Sequence, residues 1–477
     1  FVNSMNEEER NYFGEEYTSE ALKEFKDSLI TGRKKYFDVS DFEGIIEQLM
    51  DEGDMNTSEV AALQGLQIHP DSVGLKLKYG HVLLNKGRYE QAMQYISLAE
   101  QTEANNPDIH LIKGSAWLIL GEDRAAEKSF GKAVKTAGSE EDDILFHIGE
   151  AYVQAGEVKK AVTFFEKALQ KNPLNETALY ELGFFSDMRG DFKKSIEYYN
   201  RYLDIDPFNY STWFNLGITY NKAGKYKKAV VAYEFSLALN EDFHQAYFNI
   251  GNANANAGSY SKAIKNYRDF LEFEPENDDA YCYIGECYLN LQDYNRAEKY
   301  YQEAIKLNKE NDSAWFGAGL VMWVEQKFTE SAVFINKALK YDSSNPEYWL
   351  TLAKVYNDNN RPKEAEKALK RAAKLDPGNS EIWLTSAEVY LKFGELGNAL
   401  TIMETAVGKN DDVHLKYRLV GLLLESKREE EALQWLQKSI QQDFRKINVL
   451  FDYYPKASKN KQLTKIIDQH RKQNNFD

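Results

Sequence analysis

Four asparagines lie within the eight residues NIGNANAN, Asn249 to Asn256, in a stretch that otherwise reads as a helix. Asparagine is a poor helix former, so its repetition calls for a chemical reason. A side-chain amide carries hydrogen-bond donors and an acceptor without net charge. A row of such amides can hold the backbone of an extended peptide whatever its side chains, so the run predicts a peptide-holding ladder. The alternative is that asparagine is merely tolerated on a solvent-facing surface.

The reactive side chains show no spacing that is typical of a catalytic or metal site. Cys282 and Cys287 are five residues apart, which on a helix directs them about 140° away from each other. They are therefore expected to form neither a disulfide nor a metal pair. The seven histidines are scattered, and no phosphate loop, HExxH zinc helix or nucleophile elbow occurs. We expect a protein that is not an enzyme and that binds no cofactor or metal.

Composition narrows the possible partners and the location. The 477 residues are 43% hydrophobic and carry a net charge of −16, with no outstanding cluster of Lys and Arg. A phosphate backbone or an anionic membrane is therefore not an expected partner. No window approaches the roughly 18 apolar residues that span a bilayer. With only two cysteines, these features predict a cytoplasmic protein. The chain begins with Phe1 rather than Met, so a preceding leader stays open.

The elements that must position the asparagines repeat every 34 residues. The segments beginning at Ser211, Gln245 and Asp279 align with one another at this spacing. A small residue recurs inside the first half of each unit, and a second one follows about twelve positions later, which lets two helices pack closely. The first set is Gly80, Gly114, Gly149, Gly183, Gly217, Gly251, Gly285, Gly319, Ala353 and Ala387.

Larger residues surround these positions in a fixed order. Tryptophans such as Trp213 precede the small residue by four positions, tyrosines such as Tyr220 follow it by three, and prolines such as Pro207 end the unit. The pattern W-x2-L-G-x2-Y, then A-x3-F/Y-x2-A, then P resembles the tetratricopeptide repeat family. The resemblance implies an all-α, right-handed α-solenoid superhelix of about twelve helical hairpins with a concave groove.

The repeat register defines three segments. Residues 39–446 hold twelve units that begin at 39, 73, 107, 142, 176, 210, 244, 278, 312, 346, 380 and 413, and the first and last are degenerate, as capping repeats are. Residues 1–38 read as an acidic tail and a capping helix, and residues 447–477 as a polar capping helix. A regulatory N-terminal segment that folds into the groove stays open as an alternative.

With each unit numbered 1 to 34, positions 2, 5, 9, 12 and 13 cluster on one helix face, which we name the groove stripe. The resemblance implies that this stripe lines the concave groove. Asn254 falls at position 11, on the packed side of the helix. The sequence does not predict which group its side chain contacts. The amides predicted to hold a partner are Asn215, Asn221, Asn249, Asn252, Asn256 and Asn290.

Position 5 of the units is apolar, with the single exception of Glu43. Such residues suggest a groove wall for a partner's hydrophobic side chains, or a layer half-buried between adjacent first helices. Because position 5 lacks the lysine of the family's carboxylate clamp, we do not expect that mode of binding. The aromatic members predicted to contact a partner are Phe146, Tyr180, Phe214, Phe248 and Phe316.

Acidic residues surround this wall and favour a partner segment with some positive charge. They are Asp143, Glu150, Asp187, Asp279, Glu286, Glu381 and Glu388.

These observations predict a scaffold or adaptor that binds a protein or peptide segment in its groove, near residues 176–311. Two alternatives stay open. The array acts as a structural subunit of a larger complex through its convex or terminal surfaces, or it is an accessory subunit that recruits substrates to a separate enzyme.

Overall fold

A computed structural model of the chain describes residues 20–32 and 35–473. The regular structure of these residues is helical throughout, and no strand occurs among them. The chain divides into two compact units, Phe1–Asn240 and Glu241–Asp477. Among the described helices, none combines the length and the apolar character that crossing a membrane requires.

The first unit begins with a helix over residues 20–31 (α1), and residues 1–19 of the predicted N-terminal tail lie outside the described residues. The helices that follow are Val39–Asp51 (α2), Met55–Ile68 (α3), Val73–Asn85 (α4), Tyr89–Thr102 (α5), Pro107–Ile119 (α6), Asp123–Thr136 (α7), Glu141–Gln154 (α8), Val158–Lys171 (α9), Glu176–Met188 (α10), Phe192–Ile205 (α11), Tyr210–Lys222 (α12) and Tyr226–Leu239 (α13).

The second unit continues the same alternation of helices. Its helices are Gln245–Asn256 (α14), Tyr260–Leu271 (α15), Asp278–Asn290 (α16), Tyr294–Leu307 (α17), Asp312–Val324 (α18), Phe328–Tyr341 (α19), Pro346–Asp358 (α20), Pro362–Leu375 (α21), Ser380–Lys392 (α22), Leu396–Lys409 (α23), Val413–Glu425 (α24), Glu429–Asp443 (α25), Asn448–Tyr453 (α26) and Lys461–Gln473 (α27).

Within each unit the helices form stacked hairpins, so that each unit is an all-α solenoid. The first helix of a hairpin packs against its second helix, which in turn packs against the first helix of the next hairpin, as α4, α5 and α6 do. The first helices begin within one residue of the starts that the 34-residue register predicts. The spacing of small and large residues therefore fixes where each helix begins.

Asparagine has a local structural role at the start of many first helices. The Asn209 side chain accepts a hydrogen bond from the backbone N–H of Thr212, and Asn277 does the same for Ala280. Such a cap satisfies one of the backbone donors that a helix start leaves unpaired. Asparagines in this role are Asn106, Asn175, Asn209, Asn277, Asn311, Asn345 and Asn379.

The tryptophans at position 4 tie each first helix to the loop before it. The indole Nε1–H of Trp213 donates to the backbone carbonyl of Pro207 at 2.9 Å, and that of Trp349 donates to Ser343 at 3.0 Å. Trp315 and Trp383 make the same bond to the residue six positions earlier. The Trp213 indole also stacks on Phe235 of the second helix in the same hairpin, with ring centroids 4.6 Å apart.

The C-terminal residues pack against the last hairpin of the array. Helix α26 lies against α24, and α27 lies against α25. Although α27 is rich in polar residues, its Leu463 and Ile467 are buried. The sequence predicts one polar capping helix over 447–477, whereas the structure has two helices in this segment, and residues 474–477 lie outside the described residues.

The recurrent glycine at position 8 faces an aromatic ring of the second helix. A Cβ atom on Gly149 would lie 2.4 Å from Cε1 of Phe165, and one on Gly217 would lie 2.5 Å from Cε1 of Tyr233. The sequence predicts two closely packed helices here, and the structure adds that a ring rather than backbone occupies the space. The pairs are Gly114–Phe130, Gly149–Phe165, Gly183–Tyr199, Gly217–Tyr233, Gly251–Tyr267 and Gly285–Tyr301.

We predict that Gly149→Ala destabilises the protein, because the new methyl group overlaps the buried Phe165 ring. Overpacking of this kind costs about 1–3 kcal/mol. The control is Gly131→Ala in α7, where an added Cβ meets nothing within 4 Å and the higher helix propensity of alanine stabilises by up to about 1 kcal/mol. Urea unfolding followed by circular dichroism measures both variants.

The hairpins with alanine at position 8 suggest a rescue variant. Those containing Ala353 and Ala387 carry Leu369 and Met403 at the ring position. Adding Phe165→Leu to Gly149→Ala should therefore cost less than the two single changes together. Equal urea midpoints for Gly149→Ala and Gly131→Ala would show that the Phe165 ring does not restrict the size of the residue at position 149.

Candidate functional site

The predicted amides of the second unit already make hydrogen bonds within the chain. The Asn249 Nδ2 donates to the backbone carbonyl of Gln245 at 3.0 Å, and the Asn290 Nδ2 donates to that of Glu286 at 2.9 Å. These bonds use one side of each amide and leave the Oδ1 atoms without a recorded partner in the described part of the chain. Asn256 is exposed and has a contact within the chain.

Asn252 is joined to the packed layer of its hairpin. Its Oδ1 accepts a hydrogen bond from the Tyr267 hydroxyl at 2.7 Å, and Tyr267 is the ring that covers Gly251. This bond orients the amide, and its Nδ2 remains available to a partner. Asn254 faces the second helix, where its Nδ2 donates to Asn266 Oδ1 at 3.1 Å, so Asn254 joins the two helices of the hairpin.

The predicted amides of the first unit are also engaged. The Asn215 Nδ2 donates to the Tyr180 hydroxyl at 2.8 Å, which links the first helices of two successive hairpins. Asn221 is half-buried and makes a contact within the chain. An asparagine ladder that binds a partner stays a prediction, and it would have to use the remaining donors and acceptors of these amides.

The aromatic residues at position 5 are buried or half-buried rather than exposed. They pack on rings of the second helices or of the neighbouring hairpin, so a partner would reach only their edges. Whether they contact a partner stays a prediction. The ring contacts are Phe146–Phe165 at 5.3 Å, Tyr180–Tyr199 at 6.0 Å, Phe214–Tyr233 at 5.4 Å, Phe248–Tyr267 at 5.6 Å and Phe316–Tyr348 at 4.4 Å between centroids.

Exposed apolar side chains do occur beside these rings, at positions that the sequence reasoning did not select. Tyr283, at position 6, is 39% exposed, Phe184, at position 9, is 44% exposed, and Met188, at position 13, is 67% exposed. The sequence signal that could have identified these residues is an apolar side chain on or next to the groove stripe, at a position where other units have polar residues. These side chains are more accessible to a partner than the position-5 rings are.

Tyr283 belongs to a cluster that combines aromatic rings and carboxylates, the acid–aromatic cluster, formed by Phe248, Tyr267, Asp279, Tyr283 and Glu286. The Tyr283 ring stacks on Tyr267 with centroids 5.8 Å apart and meets Phe248 edge-on at 5.6 Å. Asp279 and Glu286 lie near enough to raise the pKa of the Tyr283 hydroxyl, although burial is the larger cause. An exposed ring therefore lies beside two carboxylates.

Asp279 and Glu286 of the acid–aromatic cluster make no ion pair within residues 20–32 and 35–473. Burial together with the charge of Glu347 raises the pKa of Glu286. Burial, followed by the charge of Asp278, also raises the pKa of Asp279, whose Oδ1 accepts from Asn311 at 3.1 Å. Glu286 is open to solvent, yet surrounding protein atoms weaken the hydration of its charge. The site is thus acidic and not neutralised from within.

The first unit has a smaller acidic site, in which Glu150 lies on the groove stripe and Glu181 lies beside it. Burial and the charge of Glu150 raise the pKa of Glu181. Glu150 in turn lies 2.7 Å from the His147 imidazole and raises the pKa of this histidine. A hollow of about 160 Å³ lies beside them and is lined by His81, Leu111, Ile119, His147, Glu150 and Gln154, among other residues.

Three other acidic residues of the groove stripe are neutralised or already bonded, whereas Glu388 makes no ion pair among the described residues. Asp187 pairs with Lys222, and Glu381 pairs with Lys354. Asp143 accepts a hydrogen bond from the Asn175 amide at 3.4 Å. Within the described residues, no group of three or more His, Cys, Asp or Glu side chains is arranged to hold a metal ion.

Stacked helical hairpins, six of which have a glycine–ring contact, define a repeat protein of the α-solenoid class. Family models described as tetratricopeptide repeat match residues 74–106, 120–176, 146–210 and 210–243. The model of the cilia and flagella-associated protein 70 C-terminal domain matches residues 240–449. The chain belongs to the tetratricopeptide repeat family.

Known proteins resemble parts of this chain. The TPR repeat-containing protein MJ1428 of Methanocaldococcus jannaschii is 27% identical over 113 residues, or 24% of this chain. The chain covers 20% of that relative's length. The crystal structure of yeast Tom70 is 14% identical, with coverage of 84% of this chain and 96% of Tom70 and a TM-score of 0.43.

A second solved structure is the C-terminal part of a TPR repeat-containing protein from Cytophaga hutchinsonii. It is 18% identical, with coverage of 50% of this chain and 98% of that one and a TM-score of 0.43. These likenesses to solved structures concern the fold alone.

We predict that Glu286→Gln stabilises the folded protein at pH 7. The raised pKa of Glu286 means that its ionised carboxylate lowers the free energy of unfolding. This loss of stability disappears as the pH falls below the usual carboxyl range, because the group is then protonated in both the folded and the unfolded state. Because Glu286 is open to solvent, the gain is about 1 kcal/mol or less.

Thermal unfolding at pH 7 and pH 4 measures this difference, with Glu276→Gln on an exposed loop as the control. A Glu286→Gln variant that is less stable than the wild type at pH 7 would show that the carboxylate has a stabilising partner, contrary to this account.

Proposed function

We propose that the protein is a non-enzymatic interaction scaffold that binds a segment of a partner protein along the groove stripe. Proteins of the tetratricopeptide fold are generally scaffolds of this kind. The observation that carries the proposal is the acid–aromatic cluster, whose carboxylates form no ion pair with any residue that the structure describes, while an exposed ring lies beside them. Nucleic acid is not part of the proposal, because the chain carries a net charge of −16.

The chemistry of the acid–aromatic cluster fits a lysine or arginine side chain of the partner. A cation over the face of an aromatic ring is attracted by the electron density of the ring, and a guanidinium or ammonium group also pairs with a carboxylate. At Tyr283, Asp279 and Glu286 one cation would find both interactions. Its positive charge would also counteract burial and, second, the charge of Glu347, which together raise the pKa of Glu286.

The backbone of the partner segment would be held by amides beside this cluster. Asn252 offers its Nδ2, while Asn249 and Asn290 offer their Oδ1 atoms, since their other amide groups are bonded within the chain. Donors and acceptors would then alternate along the stripe, as the backbone of an extended segment requires. Charge would select the segment, and the amides would fix its position.

A cytoplasmic location is part of the same proposal. It is supported by Cys282 and Cys287, which are free and buried and therefore compatible with a reducing compartment.

We predict that Asp279→Asn with Glu286→Gln removes a partner that the wild type captures from native lysate. Capture with quantitative mass spectrometry should show a loss of about fivefold or more, since each solvent-exposed ion pair contributes about 0.2–1 kcal/mol and cation–π contacts add to it. The matched control is Glu272→Gln with Glu276→Gln, which removes the same charge from an exposed loop.

The two double variants distinguish a site from a general charge effect. An identical set of captured proteins for all three forms would contradict the proposal. Equal losses in both double variants would show that net charge alone is responsible.

The amides are tested separately by Asn249→Ala, Asn252→Ala and Asn256→Ala combined, after circular dichroism has shown that the variant is folded. We predict that the same partner is lost, because the backbone of its segment loses its hydrogen bonds. Asn295→Ala, on the exposed face of α17, is the control. Unchanged capture would mean that the asparagines are a tolerated surface.

A further inference from the structure

Helix α21 has a basic face in a chain that is acidic overall. Its sequence, PKEAEKALKRAAKL, contains five basic and two acidic residues. The residues Lys367, Lys370, Arg371 and Lys374 are spaced at i, i+3, i+4 and i+7, which places them on one side of the helix, and all four are exposed. The row is about 10 Å long at 1.5 Å per residue.

Most of this charge is not neutralised within the chain. Lys370 pairs with Glu366 at 2.6 Å. For Lys367, Arg371 and Lys374, no ion pair occurs among the residues that the structure describes. This contrasts with a comparable place in the first unit, where Lys171 of α9 pairs with Glu141 at 2.9 Å.

A hollow of about 610 Å³ lies on one side of the basic row. It is formed by α19, α20 and α21, with Trp349, Leu352 and Tyr356 presenting apolar surface and Lys367 and Arg371 on the α21 side. The Trp349 indole is fixed by its bond to the Ser343 carbonyl. The hollow therefore has room for a large apolar side chain next to unpaired cations.

A second hollow, of about 280 Å³, lies on the other side of α21. It is lined by Trp383, Val389 and Ile402, with Lys409 on the side of α23. Lys370 and Lys374 line both hollows, so the two hollows are neighbours on either side of α21. Together they form the α21 surface, which has two apolar recesses separated by a row of positive charge.

We propose that the α21 surface binds an acidic protein segment that inserts apolar side chains into the two hollows. Carboxylates spaced along the segment would pair with Lys367, Arg371 and Lys374, while an aliphatic or aromatic side chain would occupy each hollow. This surface is formed mainly by a second helix and is distinct from the groove stripe on the first helices. The inference goes beyond the proposed function and does not depend on it.

Two features favour a peptide over nucleic acid or an anionic membrane. The basic row is only about 10 Å long, whereas a polyanion would extend beyond it over a chain with a net charge of −16. The apolar linings also match amino-acid side chains better than they match phosphates. Charge complementarity thus selects a short acidic segment with apolar anchors.

The first unit contains a matched hollow that serves as an internal control. A recess of about 340 Å³ between α7, α8 and α9 is also lined by aromatic residues, Phe130, Tyr152 and Phe164. Its charges are balanced, with Glu127 and Glu141 facing Lys167 and Lys171. The shape is similar while the net positive charge is absent, so this hollow should not bind an acidic segment.

Fluorescence anisotropy with the full chain tests the proposal, using labelled twelve-residue peptides. The probe contains six glutamates, two leucines and one phenylalanine, and two further peptides replace its glutamates by glutamine or its apolar residues by serine. We expect the probe to bind more tightly than both. Combined Lys367→Gln, Arg371→Gln and Lys374→Gln should weaken its binding about tenfold, given a factor of about two to three for each exposed ion pair.

The control variant combines Lys159→Gln, Lys167→Gln and Lys171→Gln, which removes the same charge from α9, and Lys167 and Lys171 line the balanced hollow. It should change the affinity less than twofold. Equal weakening by both triple variants, or equal binding of the glutamate and glutamine peptides, would overturn the proposal. Two further probes are a twelve-nucleotide oligouridylate and phosphatidylserine vesicles. If either binds as tightly as the acidic peptide and loses affinity only in the α21 variant, the α21 surface binds polyanions in general and the proposal of an acidic protein segment is overturned.

Discussion

The contact between a glycine of the first helix and a ring of the second is the constraint on which the other features of these hairpins depend. The glycine lets the ring lie flat against the backbone, as Tyr267 does at Gly251. This brings the two helices close enough for the ring to extend toward the groove stripe, where the Tyr267 hydroxyl meets Asn252. The same ring also supports Phe248 and Tyr283. Packing and the candidate binding site therefore share one layer of side chains.

Most of the fold follows from the sequence because the repeat unit is local. The positions of tryptophan, glycine, tyrosine and proline recur at fixed distances, and each is determined by contacts within one hairpin or with the next. The sequence cannot specify which atoms meet across a hairpin, since those depend on the pairing of the two helices. The partner of Asn254 is an example, because Asn266 lies on the opposite helix.

The candidate site is harder to predict for the same reason. The sequence places the asparagines on the groove stripe or at its edge, but it does not show that Asn249 and Asn290 bond to their own helices. It selects the position-5 rings, whereas neighbouring rings cover them and Tyr283 and Phe184 are exposed. The overall composition also does not predict the α21 surface, because the net negative charge of the whole chain gives no information about the charge of a single helix. In the second unit, unpaired negative charge lies on first helices and unpaired positive charge on a second helix.

The central claim is that a cationic segment of a partner lies against the acid–aromatic cluster. The most direct measurement places a photo-crosslinking phenylalanine derivative at Tyr283 and, for comparison, at Phe235, which is 49% exposed on a second helix. After irradiation in native lysate, mass spectrometry identifies the attached peptides. The account predicts that position 283 captures one recurrent segment containing lysine or arginine and that position 235 does not. Capture of the same proteins at both positions, or of an acidic segment at 283, would contradict it.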